Sequence, residues 1–369
     1  MRTAIVVGTG LVGTSIALAL TARGVTVYLR DVSSSAVRVA AGLGAGRLED
    51  PPGPVDVALV AVPPAAVGAL VAELQRSGTA RAYTDVASVK GPGQFAVETL
   101  ADSTTFIGGH PLAGGERSGP AGARKDLCEG RPWVITPSRS TSQGVLNTVL
   151  ELVSLCGAIP VVMDAQRHDE AVALVSHAPH VVASVMAAQV ESAPTAATRL
   201  AGQGIRDVTR IAASNRALWG EILAGNAAAV AEVLDRFVGD LVTAVEALRA
   251  LGASDDEKQA AGARSLDDVL LRGNRGHAAL PLKHGAAPAE LGEVSVSIAD
   301  EPGELAKILS SIKEMHVNVE DIAIEHSAST AGGTVKLLIA RTEVDRTARF
   351  LMGKGWQVRN SPFSATGSE

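Results

Sequence analysis

Short apolar runs alternate with amphipathic stretches along the first part of the chain. Thr3–Val7 reads as a buried strand, Leu11–Ala22 as an alanine- and leucine-rich helix, and Val25–Arg30 as a second strand followed by Asp31. Val55–Val62 is a third apolar run, stopped by Pro63-Pro64, while Ala82–Asp85, Thr105–Gly108 and Trp133–Thr136 are shorter strand candidates. Strands alternating with helices imply an α/β fold with a doubly wound parallel sheet. Its end falls near residue 163, after Ile159-Pro160-Val161-Val162.

From Asp164 to Arg275 the pattern becomes almost purely helical. Val230, Val233, Phe237, Leu241, Val245 and Leu248 recur at spacings of three and four, the stripe of an amphipathic helix. Ser254-Asp255-Asp256-Glu257 fits a capping box. The segment around Ala171–Val190 is apolar nearly all round and so needs cover on several sides, which an intertwined homodimer would supply. Residues 276–290, with His277, Pro281, Lys283, Gly285 and Pro288, read as a linker.

Beyond it the order is strand (Glu293–Ile298), helix (Gly303–Met315), strand (Val317–Glu325), turn (Ser327–Gly333), strand (Thr334–Ala340), helix (Glu343–Gly353), strand (Trp356–Arg359). That is the ferredoxin-like βαββαβ arrangement, with Leu305, Ile308, Leu309, Ile312 and Met315 forming the helix face for the sheet. The expected domains are 1–163, 164–280 and 290–369.

Length and composition agree with several packed domains: 369 residues, 46% hydrophobic, favour two or three. Aromatics are only 3%, so the cores rest on Ala, Val and Leu. A net charge of −6 without a basic cluster argues against nucleic acid as a partner. Cys128 and Cys156, the only cysteines, are expected as reduced thiols. The apolar run Ala4–Val7 is too short for a signal peptide, and no stretch is expected to supply the ~20 apolar residues that span a bilayer. The expectation is a soluble cytoplasmic protein with no membrane partner.

The chemistry begins at Gly8-Thr9-Gly10-Leu11-Val12-Gly13, between a strand and a helix. The first glycine suits the turn, the second the approach of a pyrophosphate, the third helix–strand packing. Asp31, eighteen residues past Gly13, is placed to accept ribose hydroxyls and repel a 2′-phosphate, which favours NAD over NADP. Arg30 beside it leaves the phosphate reading open. Val62 and Pro63, closing the third run, complete the expected cofactor contacts with Gly8, Gly10, Leu11, Val12, Gly13 and Asp31.

His110 lies in Gly108-Gly109-His110-Pro111-Leu112-Ala113-Gly114-Gly115, read as a tight, backbone-exposed loop able to approach a ligand. Emerging at the sheet edge, the imidazole can reach the nicotinamide end of a cofactor and assist hydride transfer. Ser88, in Asp85-Val86-Ala87-Ser88-Val89-Lys90, is either a helix cap or the hydroxyl that orients His110, and Lys90 can be a solvated charge. Glu116 and Arg117 can line or gate the pocket. His168, His177 and His180 admit three readings: a metal site, core histidines, or a substrate pocket. No carboxylate or cysteine completes a metal set, so no metal is expected. Of the two arginines in Arg206-Asp207-Val208-Thr209-Arg210, Arg206 suits an ion pair with Asp207. Arg210 suits capture of a carboxylate.

Taken together, GTGLVG, DVALVAVPP, TDVASVK, GGHPLAGGERSG, His168 with SHAPH, and GIRDVTRIAASNRALW through Trp219 closely resemble the prephenate/arogenate dehydrogenase family of tyrosine biosynthesis. The likeness covers residues 1 to about 275. Ala87 departs from the glycine expected before the serine. The tail, with Asp300-Glu301-Pro302-Gly303-Glu304-Leu305 and Asn318, resembles an ACT domain, a small-molecule sensor that commonly binds amino acids.

The resemblance implies an NAD-dependent oxidative decarboxylation of prephenate, or of arogenate. In it His110 takes the hydroxyl proton and Ser88 orients it. Arg210 and His180 hold substrate carboxylate, Glu116, His168 and Trp219 shape the pocket, and His177 supports. A non-catalytic sensor of NAD and amino acids is the reading from another class.

Overall fold

Strand β1 (Thr3–Val7) divides its side chains between two cores: Ala4 and Val6 pack on one face of the sheet, Ile5 and Val7 on the other. A strand buried on both faces needs apolar residues at every position, which is why this segment reads as an unbroken run. The computed structural model describes residues 1–115, 117–280, 291–299, 301–326 and 332–359. They group into two compact units, Met1–Val238 and Gly239–Glu369.

In the first unit β1 is joined by β2 (Thr26–Arg30), β3 (Val55–Val60), β4 (Ala80–Asp85), β5 (Phe106–Pro111), β6 (Pro132–Thr136) and β7 (Ile159–Val162), in the order β2-β1-β3-β4-β5-β6-β7. Every neighbouring pair is parallel except β5–β6. The expectation of a wholly parallel sheet is corrected there. A parallel return needs a crossover helix, and between β5 and β6 the described residues hold only a 3-10 turn, Pro120–Gly122. The strand order reverses between β1 and β3, so the crevice for a ligand opens at their carboxyl ends.

A second correction concerns β5. It runs to Pro111, so Gly108, Gly109 and His110 are strand residues rather than a loop. The glycines answer to packing: a Cβ on Gly108 would lie 2.3 Å from Thr136 Oγ1, and one on Gly109 2.6 Å from the Asp85 carbonyl oxygen. Cys128 and Cys156 are free and buried.

After β7 a helix runs through Ala165–Val172, a π-helical stretch Ala173–His177, and Ala178–Glu191. It is 27 residues long and, by length and composition, apolar enough to cross a membrane. This corrects the expectation that no such stretch exists. The helix's buried His168, Asp169, His177 and His180 are hydrogen-bonded within the unit. Leu174, Val175 and Val185 on the same helix are more than half exposed.

Further helices are Gln203–Thr209, Arg216–Gly225, Ala227–Leu251 and Asp256–Ala278. The expected stripe on Ala227–Leu251 is buried at Val230, whereas Phe237, Leu241, Val245 and Leu248 are exposed in the single chain. The following helix is capped by Asp255, not Ser254; its carboxylate accepts from Glu257 N and Lys258 N. That helix includes His277, while Pro281, Lys283, Gly285 and Pro288 lie outside the described residues.

In the second unit, β8 (Leu291–Ala299), β9 (Val319–His326), β10 (Gly332–Ala340) and β11 (Gln357–Arg359) form an antiparallel sheet in the order β11-β8-β10-β9. Helices Glu304–Glu314 and Val344–Gly353 supply Ile308, Ile312, Ala348 and Leu351 to its core. This is the expected βαββαβ order. Leu309 is 37% exposed and so leaves the predicted helix face. Asp300 and most of the turn after β9 lie outside the described residues.

Candidate active site

The carboxyl ends of β1, β3, β4 and β5 share one edge of the sheet, because those four strands are parallel. At the first of them Gly8 has φ +102°, and a Cβ there would lie 2.1 Å from the Ala61 carbonyl oxygen. A Cβ on Gly13 would meet the Gly8 carbonyl oxygen at 2.0 Å. These two glycines lock the turn to the end of β3.

Gly10 is different, since nothing lies within 4 Å of its Cβ position. It is the N-cap of helix Leu11–Ala22 and offers no side-chain cap. Open backbone at a helix N-terminus is a cradle for an anion such as a pyrophosphate. Leu11 and Val12 open that helix partly exposed, Val62 is partly exposed after β3, and Pro63 is exposed beside it.

Asp31, at the end of β2, accepts from Thr9 N at 2.6 Å and Thr9 Oγ1 at 2.8 Å through one oxygen, and from Ser33 N at 2.8 Å through the other. Burial pushes its carboxyl up, but these donated bonds outweigh it and hold the group below the usual carboxylate range. Arg30 turns instead to Asp50, with a 2.8 Å ion pair. The edge therefore presents a fixed negative charge and a guanidinium already engaged. That combination fits unphosphorylated ribose.

His110 stands at the end of β5, partly exposed. Its Nδ1 lies 2.8 Å from His168 Nε2, and His168 Nδ1 lies 2.7 Å from Asp169 Oδ1. Asp169 also accepts from the backbone N–H groups of Lys90 and Gly91, each at 2.8 Å. Between two neutral imidazoles those anchors set the tautomers. The carboxylate oxygen only accepts, so His168 donates from Nδ1 and accepts at Nε2. His110 then donates from Nδ1 and carries its free lone pair on Nε2, the arrangement of a general base. Burial, followed by His168, Lys90 and His177, holds the His110 imidazole well below its ordinary value. It is neutral at physiological pH.

A second group of rings sits further along the same helix. His180 stacks on Trp219 with centroids 3.6 Å apart and planes 3° from parallel, and His177 meets the same indole edge-on at 6.0 Å. Ser214 Oγ lies 3.2 Å from His180 Nε2, and Asn226 Nδ2 donates to His177 Nδ1 at 3.1 Å and to the Asp169 carbonyl at 2.7 Å. Burial lowers His177 to about 4 and lowers His180 as well. The buried positions on the helix step 168–169, 172–173, then 177–178. The step of five instead of four is the mark of the π-helical stretch, and it keeps His168, His177 and His180 on the inward face.

Ser88 is partly exposed past the end of β4 and makes no hydrogen bond among the described residues. It is not a cap either: helix Gly91–Leu100 has Lys90 at its N-cap position. Lys90 is buried at 2% exposure and paired with Asp85, which corrects its reading as a solvated charge. Arg210 begins a 3-10 turn, Arg210–Ala212, and is exposed. The turn contacts helix Ala178–Glu191, which carries His180. Asp207 accepts from Gln203 at 2.7 Å rather than pairing with Arg206. Glu116 lies outside the described residues.

Sequence reasoning missed Asp169, Asn226 and the Asp85–Lys90 pair. Asp169 directly follows His168, and Asp85 and Lys90 bracket Ser88, so adjacency was a usable signal for them. Nothing in the pattern marks Asn226. Among the described residues no three or more His, Cys, Asp or Glu side chains gather at a spacing that could hold a metal ion.

Residues 16–162 match the family model described as prephenate dehydrogenase, nucleotide-binding domain, and residues 164–260 match prephenate dehydrogenase, dimerization domain. The chain is 39% identical to the probable prephenate dehydrogenase NovF of Streptomyces niveus, over 96% of this chain and 99% of that one. It is 27% identical to the prephenate dehydrogenase of Bacillus subtilis, over 91% of each. Among solved structures, Aquifex aeolicus prephenate dehydrogenase in complex with hydroxyphenyl propionate and NAD+ superposes with a TM-score of 0.64 at 26% identity, covering 74% of this chain and 98% of that one.

Proposed function

Because this chain belongs to the prephenate dehydrogenase family, we propose that it catalyses the oxidative decarboxylation of prephenate to 4-hydroxyphenylpyruvate, with NAD as the oxidant. The observation that carries this reading is His110, neutral, with Nε2 left free at the sheet edge that also carries the Gly8–Gly13 turn and Asp31. Gly8, Gly10, Leu11, Val12 and Gly13 hold the pyrophosphate end, Asp31 the ribose, and Val62 and Pro63 the wall beside them. Bound NAD supplies a hydride acceptor at its nicotinamide ring.

The substrate is a cyclohexadienol whose ring carboxylate sits opposite its hydroxyl. His110 Nε2 accepts the hydroxyl proton as the carbon beneath loses its hydride, and Ser88 binds the same hydroxyl. Loss of CO2 then returns the C–C electron pair to the ring, which becomes aromatic and leaves a phenolate oxygen. His110 gives that oxygen its proton back. The imidazolium is therefore transient and the reaction releases no net proton.

His168 spends both ring nitrogens on His110 and Asp169, so it acts through His110. Arg210 and His180 hold substrate carboxylate, Trp219 and Glu116 shape the pocket, and His177 supports His180 through the shared indole. Three divisions of labour follow the chain: 1–163 for NAD, 164–280 for substrate and dimerisation, and 290–369 as an ACT domain binding an amino-acid effector. The exposed apolar rows on the long helices support a homodimer, and a cytoplasmic location goes with this reading.

The test is a side-by-side assay of the purified protein with prephenate and with arogenate, each with NAD and NADP. NADH formation with one CO2 per turnover on prephenate is the expected result. Turnover on arogenate alone would reassign the substrate, and silence on both would remove the function. For the tail, titration of tyrosine into the full chain should protect amides of β8–β11 from exchange. Unchanged protection there would leave it without that effector.

A further inference from the structure

β5 loses its neighbour just before it reaches His110. The β4–β5 ladder pairs only Tyr83 with Phe106 and Thr84 with Ile107, so Gly109 has no backbone partner on that side. Two side chains take the place of the missing ladder. Asp85 Oδ1 accepts from Gly109 N at 2.9 Å, and Lys90 Nζ donates to Gly109 O at 2.6 Å. Asp85 and Lys90 are themselves an ion pair, each 2% exposed.

Both backbone polar groups of Gly109, the residue that precedes His110, are thus held by one buried pair. The backbone N–H of the same lysine donates to Asp169, the far end of the hydrogen-bonded line that orients the imidazole. We propose that Lys90 is the positioning residue of the reaction, clamping the strand end that carries His110 and the carboxylate that sets its tautomer. This deepens the proposed function and rests on it.

A buried ion pair at the end of a strand is a costly way to replace two ladder bonds, since each ion gives up its hydration. A neutral amide would satisfy Gly109 as well. What the ammonium adds is a fixed positive charge on the carbonyl oxygen of Gly109, next in the chain to His110. The titratable and charged groups around His110 among the described residues are Lys90 and Asp85 from β4 and the loop after it, with His168, Asp169 and His177 from the helix. Lys90 disfavours a second positive charge on His110, so the base stays unprotonated, and the imidazolium returns its proton readily to the phenolate oxygen.

The test compares pH profiles of kcat/KM for the full-length enzyme and the double variant Lys90→Met with Asp85→Asn, which removes both charges at similar size. The expected result is an acidic limb moved upward by about half a pH unit or more, with kcat down about tenfold and KM for NAD and substrate within about threefold. A limb in the original position would overturn the proposal, whatever happens to kcat. Should the double variant fail to fold, Lys90→Arg carries the test. It keeps the charge while disturbing the clamp, so the limb should hold its position while kcat falls about threefold; an upward move of the limb would overturn the proposal. Activity of the unsubstituted enzyme on prephenate separates failure of this inference from failure of the proposed function.

Discussion

The two histidine groups of the first unit meet on one helix, which carries His168 of the first and His177 and His180 of the second, and they are built in opposite ways. His110 and His168 are tied by short hydrogen bonds into a line that ends on a carboxylate, and that carboxylate is held by two backbone donors. His177 and His180 are placed chiefly by ring contacts with Trp219, supported by single bonds to Asn226 and Ser214. A line of directed bonds fixes which nitrogen bears the proton, as proton transfer requires. Stacked rings fix a wall and leave one nitrogen of each imidazole without a hydrogen bond among the described residues. Burial lowers the proton affinity of His110, His177 and His180 alike, so it is the partners, more than burial, that separate a base from a binding surface.

That contrast can be broken in order of expected size. His110→Asn should cut kcat by about 10²–10⁴-fold with NAD affinity nearly unchanged in a fluorescence titration; wild-type turnover would end its role as base. Asp169→Asn should lower kcat by about 10–100-fold with little change in KM, because a residue that orients the base acts on the transition state alone. A rise in KM instead would place Asp169 with the binding wall.

The next effect lies in stability. His177 titrates near 4 in the fold and near 6.5 when unfolded, so the unfolded chain binds the extra proton between those values. Stability from this group is complete above pH 6.5 and is lost as pH falls toward about 4. Allowing for solvent screening, the loss is about 1–2 kcal/mol. Urea midpoints across that window should fall for the parent protein and fall less for His177→Asn. Equal slopes would remove His177 from the set of buried neutral groups. Smallest in effect, Arg210→Gln should raise KM for substrate about tenfold at near-constant kcat. An unchanged KM would move the carboxylate clamp to another residue.

Much of this was legible in the chain because it rests on local rules. The Gly8–Gly13 turn, the strand that follows at Thr26–Arg30 and the βαββαβ tail appear as their spacing and periodicity predict. His110, His168, His177, His180 and Trp219 were each singled out, and the structure brings His110 to His168 and the other three to one another. The sequence pattern could not show who bonds to whom. The His110–His168 bond joins residues 58 positions apart and the Asn226–Asp169 bond residues 57 apart, and no period or motif encodes such separations. Lys90 was misjudged for a related reason: an isolated lysine reads as solvated until a buried carboxylate is seen beside it. The apolar stripe on Ala227–Leu251 was read correctly as a stripe, but amphipathicity alone does not say which molecule covers it.

The π-helical stretch at Ala173–His177 has a consequence for how this helix can tolerate change. An α-helix advances about 100° per residue, so His180, twelve residues after His168, would sit about 120° around the cylinder from it. One extra residue in a wide turn retards everything downstream by about the same 100°, bringing the two side chains nearly into register. Excising a single residue from the exposed segment Leu174–Ser176 would relax the turn into ordinary helix and leave His180 eleven residues after His168, about 20° around the cylinder, so the phase would be kept. The helix therefore has a phase as well as a sequence: closing the wide turn at unchanged length would swing His180 about 100° away from the indole, whereas closing it by losing one residue would not.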